Sequence, residues 1–448
     1  MHIDFLRKRF KDASDRDALV WNGTAYTYAY LLEHIDRWIA ELEEHDVAAG
    51  SVVSVEADFS PRAIALMLAL IEKSCVFVPL SSSIESKKPT FRDVAQVEAM
   101  VGIESDDSSW IRKTGVTATH EILQGLKSSG RPGLTLFSSG STGASKAAVH
   151  DFVPMLEKYK VPRHSLRTIS FLLFDHIGGV NTLLYNLSNA GCVVTVPDRK
   201  PETVCKAIQD YQVELLPTSP TFINLILVSE AYKKFDMTSL RTVTYGTEVM
   251  PESTLERFHA LFPDVRLLQT YGLSEVGILR SKSRSSDSLW VKVGGEGFET
   301  RVVDGLLEIK AKSAMLGYLN ADSPFTKDGW FMTGDAVEVD GEYIKILGRR
   351  SELINVGGEK VYPAEVESVI QLMEGVDDVV VRGEANPLTG NIVVATVRLS
   401  TDEDLPAFRK RLRAFCRDRL SRFMVPQKVE IAEADLHGER FKRMRLAK

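Results

Sequence analysis

The stretch Thr135-Leu-Phe-Ser-Ser-Gly-Ser-Thr-Gly-Ala-Ser-Lys146 constrains this chain more than any other. An apolar, strand-like run feeds a loop of hydroxylated residues and glycines, and a lysine closes it. Glycines let backbone N–H groups approach a polyanion, and the hydroxyls add further donors. The lysine supplies a point charge for phosphate. A surface linker of small polar residues has the same composition, but the apolar strand before it and the lysine after it favour a phosphate-binding loop. The spacing GxxxxGK[ST] cannot be aligned here, so it is not a Walker A loop.

Strands alternating with helices surround this loop. Tyr28 to Leu42 has apolar residues at helical spacing, Val52 to Glu56 alternates like a strand, Pro61 to Lys73 reads as a helix and Cys75 to Pro79 as a strand. The alternation resumes with strands at Val193 to Val196, Leu215 to Pro217 and Thr242 to Tyr245. Helices are expected at Pro201 to Tyr211, Pro220 to Ser229 and Pro251 to Leu261. Such alternation implies βαβ units and a mainly parallel sheet. Near residue 290 the texture changes to short β-strands: Trp290 to Val303, Leu306 to Lys310, Ala336 to Val339 and Glu342 to Leu347. Asp340-Gly341 is a hairpin signal between the last two. Beyond Arg350 come a helix at Pro363 to Met373, strands at Val376 to Glu384 and Asn391 to Leu399, and a helix at Asp404 to Leu420. The expected fold class is α/β: a large N-terminal domain, residues 1–349, with βαβ-type parallel sheets and a β-rich subdomain, and a small C-terminal α+β domain, residues 350–448, joined to it by a hinge at Arg350-Ser351.

At 448 residues the chain is too long for one hydrophobic core. Its net charge of -6 argues against a broad nucleic-acid-binding face. The start, Met1 to Lys11, lacks the apolar core of a signal peptide. The most apolar run, Ile169 to Leu184, is interrupted by Asp175 and His176 and falls short of a membrane span. Cys75, Cys192, Cys205 and Cys416 form no CxxC pair, which suggests reduced thiols and a cytoplasmic protein.

The loop resembles the signature of the acyl-adenylate-forming (AMP-binding) superfamily, [ST]-S-G-[ST]-T-G-x-P-K-G, which includes acyl- and aryl-CoA synthetases, luciferases and peptide adenylation domains. Ser145 stands where Pro is usual and Ala147 where Gly is usual. Other stretches resemble the family in the same order. Tyr245-Gly-Thr-Glu248 looks like its adenine-face segment, and Thr270-Tyr-Gly-Leu-Ser-Glu-Val-Gly277 its Y-G-x-[ST]-E motif. Asp328-Gly-Trp-Phe-Met-Thr-Gly-Asp335 is similar to its D-G-W-[FY]-x-T-G-D, and Gly348 to Glu367 to its hinge and following loop.

The resemblance implies ATP and Mg²⁺ as cofactors and a role for each matched residue. Ser138, Ser139, Gly140, Ser141, Thr142, Gly143 and Lys146 would cradle phosphates. Gly246, Thr247, Glu248, Thr270, Tyr271, Gly272 and Ser274 would line the nucleotide, with Tyr271 near the adenine. Glu275 would hold Mg²⁺, Asp335 the ribose hydroxyls, and Arg349 ribose or phosphate. Gly357 and Gly358 would line the thiol tunnel once the small domain rotates about Arg350 and Ser351. The family's G-K-x-x-R lysine is matched by Lys442, which keeps Arg445 three residues on but has Phe441 where Gly is usual; the alternative register places Arg440 there. Catalytic roles fall to Lys442, Lys146 and His176.

Phe174-Asp-His-Ile-Gly-Gly-Val-Asn-Thr182 resembles the H-x-x-G stretch of CoA ligases, although Asp175 is also reminiscent of amino-acid enzymes. The acyl pocket is expected at His176, Gly179, Tyr245, Gly246 and Leu273. The expected reaction activates a small carboxylic acid as acyl-AMP and transfers it to a thiol, CoA being preferred. Two alternatives stay open: a stand-alone enzyme loading the phosphopantetheine of a separate carrier protein, and a non-catalytic nucleotide-binding homologue.

Overall fold

The computed structural model describes residues 2–139, 145–438 and 441–445, with only the backbone of Ser139. Among these residues a seven-stranded sheet runs in the order Arg266–Gln269, Thr242–Tyr245, Leu215–Thr218, Arg167–Ile169, Cys192–Val194, Asp17–Trp21, Thr24–Thr27. It is parallel up to the final hairpin. A second seven-stranded sheet carries Gly317–Tyr318, Ser145–Asp151, Gly133–Ser139, Val76–Leu80, Val52–Glu56, Ala99–Ile103 and Ser109–Lys113 in that order.

Helices cover these sheets for legible reasons. Tyr28–Glu44 buries Tyr28, Leu31, Ile35, Trp38 and Leu42 along one face, and the Thr27 side chain caps its start by accepting the Tyr30 N–H. Pro61–Glu72 is apolar all round and lies wholly inside, from Ala63 to Ile71, with Ser60 as cap and Pro61 at its first turn. The apolar run Ile169 to Leu184 resolves into the end of a short strand and the helix Ile177–Ser188. No helix among the described residues is long and apolar enough to cross a membrane.

A six-stranded antiparallel sheet follows: Arg280–Ser283, Trp290–Gly294, Tyr343–Arg349, Phe331–Asp340, Leu306–Ala311, Phe298–Val303. The hairpin at Asp340-Gly341 forms as expected, with Asp340 opposite Tyr343. One expectation is corrected: Trp290 to Val303 is two strands. Gly294, Gly295 and Gly297 all take positive φ and break the run, and Phe298–Val303 pairs at the opposite edge of the sheet.

A further core gathers Ile354, Val366, Val381, Val397, Phe408 and their neighbours from residues 354–429. It sits between a mixed sheet built on the antiparallel pair Val376–Asn386 and Gly390–Leu399, with Lys428–Ile431 added in parallel, and the helices Pro363–Ile370 and Leu405–Arg417. This C-terminal unit docks on the helices Pro220–Ser229 and Glu252–Leu261: Asn224 donates to the Asp377 carbonyl at 3.0 Å, and Thr254 to Gln371 at 3.2 Å.

Candidate active site

Parallel pairing brings the carboxyl ends of neighbouring strands to one edge, where open α/β sheets bind ligands. Here that edge receives Ser170 to Phe174, Ser219, Gly246 to Glu248, and Thr270 to Glu275, each directly after its strand.

The Thr270 N–H and hydroxyl both donate to the Tyr245 carbonyl, at 2.7 and 3.0 Å. Gly246 is packed so closely that a Cβ would stand 2.7 Å from the Thr270 carbonyl oxygen. The next residue, Thr247, holds φ +74, a strained value for a β-branched residue. Glu248 follows: its carboxylate accepts the Thr221 N–H at 2.8 Å and the Arg443 N–H at 3.2 Å. Glu248 thus joins a helix start to the C-terminal tail.

The segment Tyr271 to Ile278 is gripped from several sides. Gly272 and Leu273 pair with Gly277 and Ile278 in a tight turn. Leu273 is half-buried against the core of the antiparallel sheet. His150 Nε2 lies 2.5 Å from the Ser274 carbonyl oxygen, which makes that nitrogen the donor of a neutral ring. Burial pushes the His150 pKa down to about 4, against the raising effect of its backbone hydrogen bonds. The half-buried Lys158 donates to the Ile278 carbonyl at 3.2 Å and to Asn181 Oδ1 at 2.7 Å, so the turn is tied to the helix Ile177–Ser188.

Glu275 points into the site with Tyr318 Oη donating to its Oε1 at 2.7 Å. Lys146 Nζ lies 5.2 Å from the centroid of the same tyrosine ring. Lys146 is the second residue of the strand Ser145–Asp151 and pairs with Ser138 on the neighbouring strand. Asn320 fixes the start of that strand, accepting the Ala147 N–H and donating to the Ser145 carbonyl, both at 2.9 Å. Gly140, Ser141, Thr142 and Gly143, and the alternative Arg440, lie outside the described residues.

Asp335 sits directly opposite Arg349 in the antiparallel sheet, with Arg349 Nε 3.5 Å from its Oδ1. Tyr271 Oη donates to its other oxygen. Burial raises the Asp335 pKa, and the Tyr271 hydrogen bond and Arg349 oppose that shift.

The remaining expected residues lie elsewhere. His176 caps the helix Ile177–Ser188, its Nδ1 accepting the Gly178 N–H at 3.0 Å. A Cβ on Gly179 would fall 1.8 Å from the Leu173 carbonyl oxygen, so glycine there serves a close backbone turn. Tyr245 is 1% exposed, its side chain in the core of the parallel sheet. Arg350 and Ser351 form an exposed single turn. Gly357 and Gly358, at φ +62 and +95, turn the chain at the exposed tip of a C-terminal hairpin. Lys442 is exposed in the tail between Phe441 and Arg443.

Sequence reasoning missed Tyr318, Asn320, His150 and Ser219. The run Gly317-Tyr-Leu-Asn320 carried the only signal, an aromatic and an amide next to a glycine, and it is unremarkable without its partner strand.

The chain matches the family profile "AMP-binding enzyme" over residues 6–308 and "AMP-binding enzyme C-terminal domain" over residues 365–440. It is 25% identical to an indoleacetate–CoA ligase of Aromatoleum aromaticum, covering 90% of this chain and 88% of that one. It is 23% identical to a 2-succinylbenzoate–CoA ligase of Listeria innocua, covering 96% and 95%. Its fold superposes on the crystal structure of an anthranilate CoA ligase in complex with anthranoyl-AMP with a TM-score of 0.82 at 16% identity, over 99% and 95% of the two chains. With two profiles matched in order along one chain, this protein belongs to the AMP-binding enzyme family.

Proposed function

We propose that this chain is an acid–thiol ligase that activates a small carboxylic acid as acyl-AMP and passes the acyl group to CoA. One observation carries the reading: Lys146 and the Tyr318–Glu275 pair cluster at the start of the strand Ser145–Asp151, while the Tyr271–Asp335–Arg349 trio supplies a buried carboxylate suited to a ribose diol. The CoA ligases among its relatives support the thiol acceptor.

In the first step a carboxylate oxygen bonds to the α-phosphorus of ATP, the bond to the β-phosphate oxygen breaks, and pyrophosphate leaves. Ser138 to Gly143 and Lys146 hold the polyphosphate, and Lys442 orients the attacking carboxylate. Asp335 and Arg349 hold the ribose. Tyr271, with Gly246, Thr247, Thr270, Gly272 and Ser274, borders the base, and Glu248 supports this wall from behind. In the second step the thiol sulfur bonds to the acyl carbon, its proton is lost, and AMP leaves. The segment from residue 350 onward turns about Arg350 and Ser351 between the steps and brings Gly357 and Gly358 to the thiol path. The acyl group takes the side of His176, Gly179 and Leu273, with Tyr245 as buried support.

Glu275 would hold Mg²⁺, which when bound offsets the charge of the phosphates. The donor set fits, because one half-buried carboxylate suits an ion that takes its other ligands from phosphate and water. A cytoplasmic setting is supported by four buried cysteines, none in a disulfide.

Hydroxamate trapping with ATP, Mg²⁺ and a panel of aryl, fatty and amino acids tests the reading, with CoA then replacing hydroxylamine. Hydroxamate and thioester from the same acid are expected. Hydroxamate without thioester would move the acceptor to a carrier protein's phosphopantetheine. Silence across the panel, with ATP bound, would overturn the reading.

A further inference from the structure

The tail 441–445 threads between the C-terminal unit and the large unit, and its two sides face different ways. The Arg443 and Arg445 side chains reach the C-terminal unit, both pairing with Glu367 (2.6 and 2.7 Å), and Arg445 also with Glu352 at 3.0 Å. The Phe441 N–H, the Lys442 carbonyl and the Met444 N–H fold back on Leu436 and Gly438, and the Phe441 ring stacks 5.1 Å from His437 on one side. The Phe441 carbonyl, the Arg443 N–H and the rest of the ring face the large unit. The Phe441 carbonyl accepts from Ser219 Oγ at 2.8 Å, and the Arg443 N–H donates to Glu248. The Phe441 ring packs 5.4 Å from Phe171 and edge-on 5.3 Å from Phe222, two residues buried in the parallel-sheet core. The Arg199 guanidinium stands 5.2 Å from the Phe441 centroid and 5.8 Å from that of Phe171, spanning both rings.

Phe441 holds this seat at φ +50. A side chain there carries backbone strain that glycine would avoid, so the surrounding contacts over-determine it. Lys442 is the next residue. The ring's contacts with Phe171, Phe222 and Arg199 exist only while the tail is docked, so they bias a docked arrangement against an undocked one.

We propose that Phe441 is a positioning residue: its ring, seated among Phe171, Phe222 and Arg199, pins the tail so that Lys442 is presented to the large unit, favouring adenylate formation over the thiol step. This rests on the adenylate-forming reading above.

The test measures the two half-reactions separately in Phe441→Ala, Phe441→Gly and Phe441→Tyr, using the acid found in the panel and its synthetic acyl-AMP. Amide hydrogen exchange at Arg443 supplies a readout that needs no acid. Alanine and glycine lower kcat for hydroxamate formation by about tenfold or more, which is about 1.4 kcal/mol, with KM for ATP little changed. Thioester formation from acyl-AMP holds or quickens, exchange at Arg443 rises, and tyrosine restores all three. Because glycine relieves the backbone, its loss isolates the ring. Equal slowing of both half-reactions, or unchanged exchange with adenylation intact, overturns the proposal. If the wild type forms no adenylate from any acid, the functional reading fails, and the exchange data alone still decide whether the ring pins the tail.

Discussion

Tyr318 Oη donates to Glu275 Oε1 at 2.7 Å, while the Glu275 carbonyl accepts the Met315 N–H, also at 2.7 Å. One short segment therefore fixes this residue through both its side chain and its backbone. Burial and the Glu275 charge push the phenol pKa up, so it stays a donor throughout the usable pH range. Tyr318→Phe removes the bond and leaves the ring beside Lys146. The expected outcome is an increase of about tenfold in the Mg²⁺ needed for half-maximal adenylation, the worth of about one charge-assisted hydrogen bond. A Mg²⁺ titration of hydroxamate formation checks it, and an unchanged midpoint would remove Tyr318 from the site.

His150 supports the same turn from beneath as a neutral donor to Ser274. Its folded pKa, about 4, lies below the ordinary 6.5. The stability it contributes is therefore full above 6.5 and is lost as pH falls through 4, because the unfolded chain takes up the proton first. Denaturant unfolding between pH 6.5 and 4 should show a loss of up to about 2–3 kcal/mol. His150→Gln should flatten that slope within this window.

Glu367 titrates lower. It is wholly buried, which by itself raises its pKa, but Arg445, Arg443 and the Val381 N–H outweigh burial and hold it at about 2. Its contribution is present above 4.5 and is lost as pH falls through about 2. Glu367→Gln leaves two arginines facing a neutral amide and should cost about 3–5 kcal/mol. Thermal unfolding of the variant at neutral pH checks the magnitude, and a variant within about 0.5 kcal/mol of wild type would contradict it.

The proposed catalytic cation is Lys442, with Arg440 as the alternative register. Lys442→Ala should lower adenylation about 100-fold and leave transfer from synthetic acyl-AMP nearly intact, the pattern of an interaction made in one transition state. Arg440→Ala should change neither rate by more than about twofold. The reverse pattern would move the role to Arg440.

Local pattern was legible where one element decides the answer. The strand Gly133–Ser139, the helices opened by Pro61, Pro201 and Pro220, and the Asp340-Gly341 hairpin each follow from a short stretch of chain. Pairings made by distant segments were not. Tyr318 meets Glu275 because residues 317–318 add a strand beside Ser145–Asp151, a register that no local period encodes. Likewise, nothing near Phe441 announces Phe171 and Phe222, more than two hundred residues earlier in the sequence. Glu248 was expected at the adenine face; its carboxylate spans Thr221 and Arg443, a role set by the docked tail. The run from Trp290 to Val303 misled because its β-propensity is continuous while its glycines break the strand.

Attack of the acid's own oxygen on the α-phosphorus can be followed directly with an isotope. The acid found in the panel is prepared with both carboxylate oxygens as ¹⁸O and turned over with ATP, Mg²⁺ and CoA, and the products are analysed by mass spectrometry. One ¹⁸O in each AMP and none in pyrophosphate are expected. Label in inorganic phosphate, accompanied by ADP, would contradict attack on the α-phosphorus.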